Sequence, residues 1–319
     1  MARYLVTGGL GFIGSHLVDA LQAQGDTVRV LDDLSTGKRA NVGPATEIIE
    51  ADVADGAAVA AALAGVDGCF HLAAVASVAA SVEDWIGTHR TNLTGAITVF
   101  DAARRVRAQD RPIPVVYASS AAVYGDNPAL PLSEQATPRP LTAYGADKLG
   151  CEQHARVALH VHGVPTVGLR FFNVYGPRQD PSSPYSGVIS IFADRLRRRA
   201  PIEIFGDGEQ TRDFVYVGDV VALLLGAMAR PSAAGEVMNV CTGRATSINA
   251  LARTIAHVLD CEAEIIHRPA RAGDIRASVG DPGHALRLLG LAATTALADG
   301  LARTMAVGET QAAGHARRG

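Results

Sequence analysis

Cysteine is scarce in this 319-residue sequence: Cys69, Cys151, Cys241 and Cys261 lie far apart and no two form a C-x-x-C pair. That excludes a disulfide framework or a zinc ribbon as the source of stability. An excess of charge of one sign is also lacking. With 29 Lys+Arg against 32 Asp+Glu, a net charge of −3 and 19% charged residues, neither nucleic acid nor an anionic membrane is an expected partner. A hydrophobic content of 48% rules out a disordered chain. No apolar run approaches the roughly 18 residues of a membrane helix, and the first strand-like run, YLVT, begins at Tyr4, which leaves no room for a signal peptide. The ten histidines show no metal-ligand spacing, and there is no internal repeat or low-complexity tract. The expectation is a metal-free, cytoplasmic globular protein, long enough for one large domain or two lobes.

What the sequence does contain is an alternation of short β-branched or aliphatic runs with longer Ala-rich segments, the pattern of a parallel sheet covered by helices. Strands are expected at Arg3 to Thr7, Thr27 to Leu31, Glu47 to Glu50, Gly68 to Leu72, Pro114 to Ala118 and Thr166 to Leu169. Helices are expected at Phe12 to Gln24, Gly56 to Ala64, Trp85 to Arg107 and Thr142 to His162. The fold class is therefore α/β: a Rossmann-type doubly wound parallel sheet with a smaller, loop-rich α/β substrate lobe. Residues 1–170 form the first lobe, to which 214–237 return; 171–213 and 238–310 form the second; 311–319 read as a frayed tail.

TGGLGFIGSHL sets Gly8, Gly11 and Gly14 between the first strand and the first helix. Glycines there let the chain turn sharply, bring backbone close to a pyrophosphate and pack helix on sheet, while the helix N-terminus offers N–H groups to the phosphates. The second strand ends in Asp32, 18 residues after Gly14, placed to accept both hydroxyls of an adenosine ribose. Asp32 and Asp33 would repel a 2′-phosphate, so the cofactor read from these residues is NAD. Lys38 and Arg39 are either solvated loop charges or a phosphate clamp, and Asp52 either reads an adenine amino group or caps a helix.

In TAYGADKLGCEQ, Tyr144 and Lys148 lie four residues apart and share one helix face. An ammonium beside a phenol favours the phenolate, which makes a proton acceptor. Ser119-Ser120 ends the fifth strand, on the edge of an open α/β sheet where ligands bind, and offers hydroxyls to a substrate oxygen. A hydroxyl, a phenol, an ammonium and a dinucleotide together describe hydride transfer at a carbinol.

The segments TGGLGFIGSHL, HLAA, YASSAAVYG, YGADK, RFFNVYGPRQ, IEIFGDGEQTRDFVYVGDV and RPARAGDIR occur here in an order that resembles the extended short-chain dehydrogenases/reductases, within them the NAD-dependent nucleotide-sugar epimerases/dehydratases. The resemblance spans almost the whole chain. It implies that Ser120, Tyr144 and Lys148 are catalytic and that Phe12, Ile13, Val53, Leu72, Ala73, Ala74, Asn92 and Phe171 join the glycines, Asp32, Asp33 and Asp52 around NAD. Asn92 alternatively caps its helix, and His71 reads as a packed strand-end residue. The implied substrate is a UDP-sugar held by Ser119, Ser120, Tyr144, Asn173, Val188, Glu203, Phe205, Arg212, Arg271, Asp274 and Ser278, with Phe205 against uracil and the two arginines on the diphosphate. Arg212 alternatively pairs with the adjacent Asp213.

The implied reaction is 4-epimerisation of a UDP-hexose through a 4-keto sugar. Dehydratases of this kind carry an acid pair or a glutamate just after the catalytic Ser/Thr, where this chain has Ala121-Ala122. Asp180 argues against a uronate by charge. A 4,6-dehydratase, a 4-keto reductase and a silent NAD-binding protein stand as alternatives. The resemblance also implies a homodimer formed through a four-helix bundle of the two long helices. Two departures stand out: Ala76 replaces a cofactor-binding lysine of some epimerases, and the C-terminus lacks their aromatic closing helix. Arg195, Arg197, Arg198 and Arg199 read as a solvated helix end, since no aromatics interleave them.

Overall fold

The computed structural model describes residues 1–108, 111–179, 187–270 and 274–316. In chain order, β1 (Arg3–Thr7), α1 (Phe12–Ala23), β2 (Thr27–Asp32), β3 (Glu47–Glu50), α2 (Gly56–Leu63) and β4 (Gly68–His71) are followed by α3 (Val78–Glu83), α4 (Trp85–His89) and α5 (Gly95–Arg105). A short antiparallel pair, β5 (Arg107–Ala108) with β6 (Arg111–Pro112), precedes β7 (Val115–Ser120), α6 (Ala143–His162) and β8 (Thr166–Phe171). The remainder comprises β9 (Asn173–Tyr175), α7 (Val188–Arg197), β10 (Ile202–Phe205), β11 (Thr211–Arg212), β12 (Phe214–Tyr216), α8 (Val217–Met228) and β13 (Val237–Val240). Last come β14 (Thr246–Ser247), α9 (Ile248–Val258), β15 (Ile265–Arg268), β16 (Ala277–Ser278), α10 (Gly283–Leu289) and α11 (Leu297–Ala316).

Seven strands form one parallel sheet in the order β13-β8-β7-β4-β1-β2-β3. The order reverses between β1 and β4, and the loops after both strands open on the same edge, the place where such sheets bind ligands. The period of two along each strand builds two cores. Val6, Phe70 and Val116 face one side with Leu17, Val18 and Leu21 of α1 and Val220 and Leu224 of α8. Leu5, Cys69, Val115 and Tyr117 face the other with residues of α2, α5 and α6. Strands buried on both faces are therefore almost wholly apolar, at about 1.5–3 kcal/mol of stabilisation for each fully buried large aliphatic side chain. β13 lies in this sheet, so the returning segment extends to Val240 rather than ending at 237.

A third core belongs to the second lobe, where Phe192 and Leu196 of α7, Ile202 and Ile204 of β10, Leu251 and Ile255 of α9, and Leu301 and Met305 of α11 meet. The C-terminal end differs from its reading as a frayed tail. Leu297, Leu301 and Met305, spaced by four, dock α11 on this core; Gly300 leaves room for the Tyr175 hydroxyl; and the Ala-rich continuation stays helical to Ala316. A closing helix is present without aromatic residues. The segment expected as one helix from Trp85 to Arg107 is also different, because a π turn at Arg90–Thr94 separates α4 from α5.

Candidate active site

The glycines after β1 serve distinct purposes. Gly8 has φ +68°, and a Cβ there would lie 2.7 Å from the Ala73 nitrogen, so the loops after β1 and β4 touch only because residue 8 lacks a side chain. A Cβ on Gly14 would collide with the Gly8 carbonyl, which fixes α1 against the loop. Gly11 is also close-set: a Cβ there would lie 3.3 Å from the Gly8 oxygen, and as N-cap of α1 it supplies no side chain to the first-turn N–H groups. This cradle, with N–H groups of Phe12 and Ile13 at its rim, suits a pyrophosphate.

Asp32 is buried beside it. Its Oδ2 accepts the Leu10 N–H at 3.0 Å and its Oδ1 the Leu34 N–H at 2.9 Å. Burial pushes its pKa up and these two bonds oppose the rise. Two lone-pair positions remain for ribose hydroxyls. Asp33 is exposed and folds back on Ser35. Arg39 pairs with Glu50 at 2.6 Å rather than reaching toward a phosphate. Asp52 does not cap α2, a position taken by Asp55; it accepts the Ala54 N–H and pairs with Arg90 at 2.5 Å. Val53 is buried against Gly95.

Asn92, buried in the π turn, accepts the Val75 N–H at 2.8 Å and donates to the Val75 carbonyl at 3.2 Å. It thereby holds the loop of Leu72, Ala73 and Ala74 against Gly8, so its capping alternative does not apply. His71 is buried, bonded through Nδ1 to the Thr7 hydroxyl at 2.8 Å, and its pKa falls to about 3 because of burial and the Lys148 charge, which keeps it neutral.

β7 delivers Ser120 to the same edge, opposite Phe171 of β8. The Ser120 Oγ accepts the Ala122 N–H at 3.1 Å and starts a 3-10 turn over Ala121–Tyr124. Thr142 caps α6 by accepting the Gly145 N–H at 3.0 Å, which places Tyr144 in the first turn and Lys148 one turn on. A Cβ on Gly145 would lie 2.6 Å from the Ala122 carbonyl oxygen, so α6 seats directly on the turn that follows Ser120. Lys148 is buried, its Nζ donates to the Ala118 carbonyl at 3.0 Å, and it stands 5.9 Å from the Tyr144 ring centroid. It is one of only two lysines in the chain, where arginine otherwise supplies the positive charge. A compact ammonium fits a site with one backbone carbonyl and one phenol better than a planar fork does.

Ser119 turns away from the sheet edge where it was expected to meet substrate. Successive strand residues face opposite sides, and its hydroxyl donates to Glu152 at 2.5 Å inside the protein, with 1% of the residue exposed. It does not face a substrate.

Among the residues assigned to substrate, Asn173 is exposed at the start of β9, and Arg212 and Ser278 lie opposite each other in the β11·β16 pair. Arg212 donates to the Thr211 and Ile275 carbonyls, both at 2.8 Å, and meets Asp274 at 3.2 Å. Its alternative partner, Asp213, is wholly buried and instead accepts the Thr242 N–H and hydroxyl and the Gly243 N–H. Sequence reasoning missed this role of Asp213, whose neighbours, Arg212 and Phe214, do not show which way its side chain turns. Phe205 and Glu203 share the outward face of β10, where Glu203 pairs with Arg268 at 3.0 Å, which holds its carboxyl below the usual range. Val188 opens α7 and is half-buried. Arg271 and Asp180 lie outside the described residues. A cavity of about 340 Å³ between α6 and the β8–β13 side of the sheet is lined by Tyr117, Glu152, Arg156, His160 and Glu236 and holds none of the assigned site residues. No cluster of metal-ligating side chains occurs among the described residues.

Residues 4–241 match the NAD dependent epimerase/dehydratase family. The chain is 39% identical over 315 residues to the UDP-glucose 4-epimerase of Mycolicibacterium smegmatis, covering 95% of this chain and 97% of that one. Its structure is similar to UDP-glucose 4-epimerase of Thermotoga maritima with UDP-glucose, at a TM-score of 0.92 and 35% identity over 97% and 99% of the two chains. It is also similar to UDP-glucose 4-epimerase of Thermus thermophilus in complex with NAD, at a TM-score of 0.86 and 35% identity over 95% and 98%.

Proposed function

The chain belongs to the NAD-dependent epimerase/dehydratase family, and from that premise we propose that it is a UDP-hexose 4-epimerase. The observation that carries this reading is the turn after Ser120. Ala121 and Ala122 bring no acid or base, Val123 is core, and Tyr124 is buried with its pKa pushed up to about 12. A dehydratase needs a proton donor and acceptor beside carbons 5 and 6, whereas epimerisation needs only the hydroxyl, phenol and ammonium already present.

NAD is the cofactor of the family, and it fits the glycine turn before α1, whose N-terminus no side chain caps, and the buried carboxylate of Asp32. When bound it would supply the acceptor for the hydride of carbon 4 and the source from which that hydride is restored. Tyr144 takes the proton of the 4-hydroxyl as the hydride leaves carbon 4 and gives it back to the keto oxygen when the hydride returns, and Ser120 bonds the same oxygen. Lys148, fixed on the Ala118 carbonyl, stabilises negative charge on the Tyr144 oxygen. Inversion requires the 4-keto sugar to turn over while its nucleotide stays anchored, and Arg212, held by two carbonyls and Asp274, supplies a rigid anchor for the diphosphate. Incubation with UDP-glucose, UDP-N-acetylglucosamine and UDP-glucuronate, with products identified by NMR, tests the reading. The 4-epimers of the first two are expected; a stable 4-keto product would overturn the reading.

Substrate breadth follows from Ser278. It is the register partner of Arg212 in the β11·β16 pair, and if the sugar lies beside it a residue this small would leave space for a 2-acetamido group, so both plain and N-acetylated hexoses are expected to turn over. Ser278→Tyr should depress turnover of UDP-N-acetylglucosamine by more than about tenfold while sparing UDP-galactose, because the clash is with the acetamido group alone. Equal losses for both sugars would remove Ser278 from this role.

A homodimer is proposed through the long helices. α4 with α5 and α6 lie side by side, and Trp85, Ile86, Val157 and Val161 expose apolar surface on them. Light scattering at micromolar concentration should give twice the chain mass, and a monomer would refute the bundle. No helix among the described residues is long and apolar enough to cross a membrane; a cytoplasmic location is proposed from the substrate class.

A further inference from the structure

Behind the catalytic serine runs a buried polar network. The Ser119 hydroxyl and the Arg170 Nε both donate to Glu152 Oε1, at 2.5 and 2.8 Å, and the Arg170 Nη2 donates to Glu152 Oε2 at 2.7 Å. The Arg170 Nη1 donates to the Tyr124 hydroxyl at 2.8 Å, which itself donates to Asn239 Oδ1 at 2.7 Å. The guanidinium carbon also stands 4.8 Å from the Tyr124 ring centroid. Asn239 is tied in turn to Glu134 and to the Leu132 carbonyl. Arg170, Glu152, Ser119, Tyr124 and Asn239 are all buried, and the ion-pair side chains are 6% and 5% exposed.

The placement of these groups gives the network a purpose. Ser119 and Tyr124 bracket the turn that begins at Ser120, one before it and one at its end. Glu152 lies one turn beyond Lys148 on the α6 face that carries Tyr144 and Lys148. A single guanidinium thus joins both sides of the Ser120 turn to the helix that holds the phenol and the ammonium. A fully satisfied buried network has one low-energy arrangement, whereas a half-satisfied one does not.

We propose that Arg170, Glu152 and Tyr124 are positioning residues that set the distance between the Ser120 hydroxyl and the Tyr144 phenol, and so determine kcat rather than substrate or cofactor affinity. Only the planar fork of arginine reaches Glu152 with two nitrogens and Tyr124 with a third. The assay rests on the epimerase reading, so a second measurement independent of turnover accompanies it.

The experiment compares the NAD-loaded wild type with Tyr124→Phe, Glu152→Gln, Arg170→Ala and Arg170→Lys, using UDP-glucose and UDP-N-acetylglucosamine. Misplacement of reacting groups by about 1 Å costs up to about 100-fold. Tyr124→Phe should therefore lower kcat by about tenfold and Glu152→Gln by about 100-fold, with KM and NAD content within about twofold of the wild type. Arg170→Lys restores charge without the fork and should recover less than about a tenth of the activity lost in Arg170→Ala. Amide exchange at Ala122 and Gly145 should accelerate in every folded variant. Tyr124→Phe removes one oxygen and decides the matter if the charge variants do not fold. A wild-type kcat in Tyr124→Phe, or kcat, KM and NAD content falling together, would overturn the proposal. If the wild type acts on neither sugar, the epimerase reading fails, and the amide exchange alone then decides: unchanged rates refute the network.

Discussion

Replacement of Tyr144 by Phe is expected to abolish turnover while leaving binding of UDP-sugar and NAD almost unchanged. The substitution removes one oxygen from a half-buried side chain in the first turn of α6, so neither helix packing nor the Thr142 cap is disturbed. What disappears is the only proposed acceptor for the 4-hydroxyl proton. General acid–base groups contribute about 10²–10⁴-fold, and the loss is expected in that range. Loss of Ser120 itself through Ser120→Ala should cost about 100-fold, the usual effect of one transition-state hydrogen bond. Steady-state kinetics with calorimetric binding of UDP separates the two effects. A Tyr144→Phe enzyme that retains a tenth of its activity would transfer the proton acceptor to another group.

The second large effect is on the cofactor. Asp32→Ala should release NAD during purification and weaken its affinity by about 100-fold or more, since two hydrogen bonds from ribose hydroxyls to a carboxylate are lost at about 1.5–3 kcal/mol each. Part of the loss comes from the protein, because the Leu10 and Leu34 N–H groups lose their acceptor and the loop beside the pyrophosphate cradle loosens. Asp32→Asn, which keeps the shape and one acceptor oxygen, should lie between. Discrimination against NADP should relax in both, as the 2′-phosphate no longer meets a buried anion. Isothermal titration of the stripped proteins with each dinucleotide measures this. A wild type that prefers NADP would remove Asp32 from the role.

Several features of the site were open to reading along the chain because their causes are local. A glycine run between an apolar strand and an amphipathic helix, a carboxylate at the end of the next strand, and a tyrosine and lysine one helical turn apart each announce themselves within a few residues. The parallel, doubly wound sheet follows from strands too short and too apolar to be anything but buried on both faces. The identity of Gly8, Gly14 and Gly145 is also local in sequence, yet the reason for each is a backbone approaching from elsewhere: Ala73, the Gly8 carbonyl and the Ala122 carbonyl.

Tertiary structure decided the rest, and in each case through partners distant in sequence. Ser119 and Ser120 are chemically identical neighbours; the pleat turned one toward Glu152, 33 residues away, and left the other at the sheet edge. Asn92 became a clasp on Val75, and Arg212 found Asp274, 62 residues on, rather than the adjacent Asp213. The segment before the tail docks Leu301 and Met305 on the second-lobe core, and the helix they belong to runs on past Thr310 to Ala316. Local patterns fix which elements form, because they depend on neighbours three or four residues away. The partner of a buried charge is set by whichever group the packed chain brings within hydrogen-bonding distance, and that is decided only once the sheet and its helices have closed.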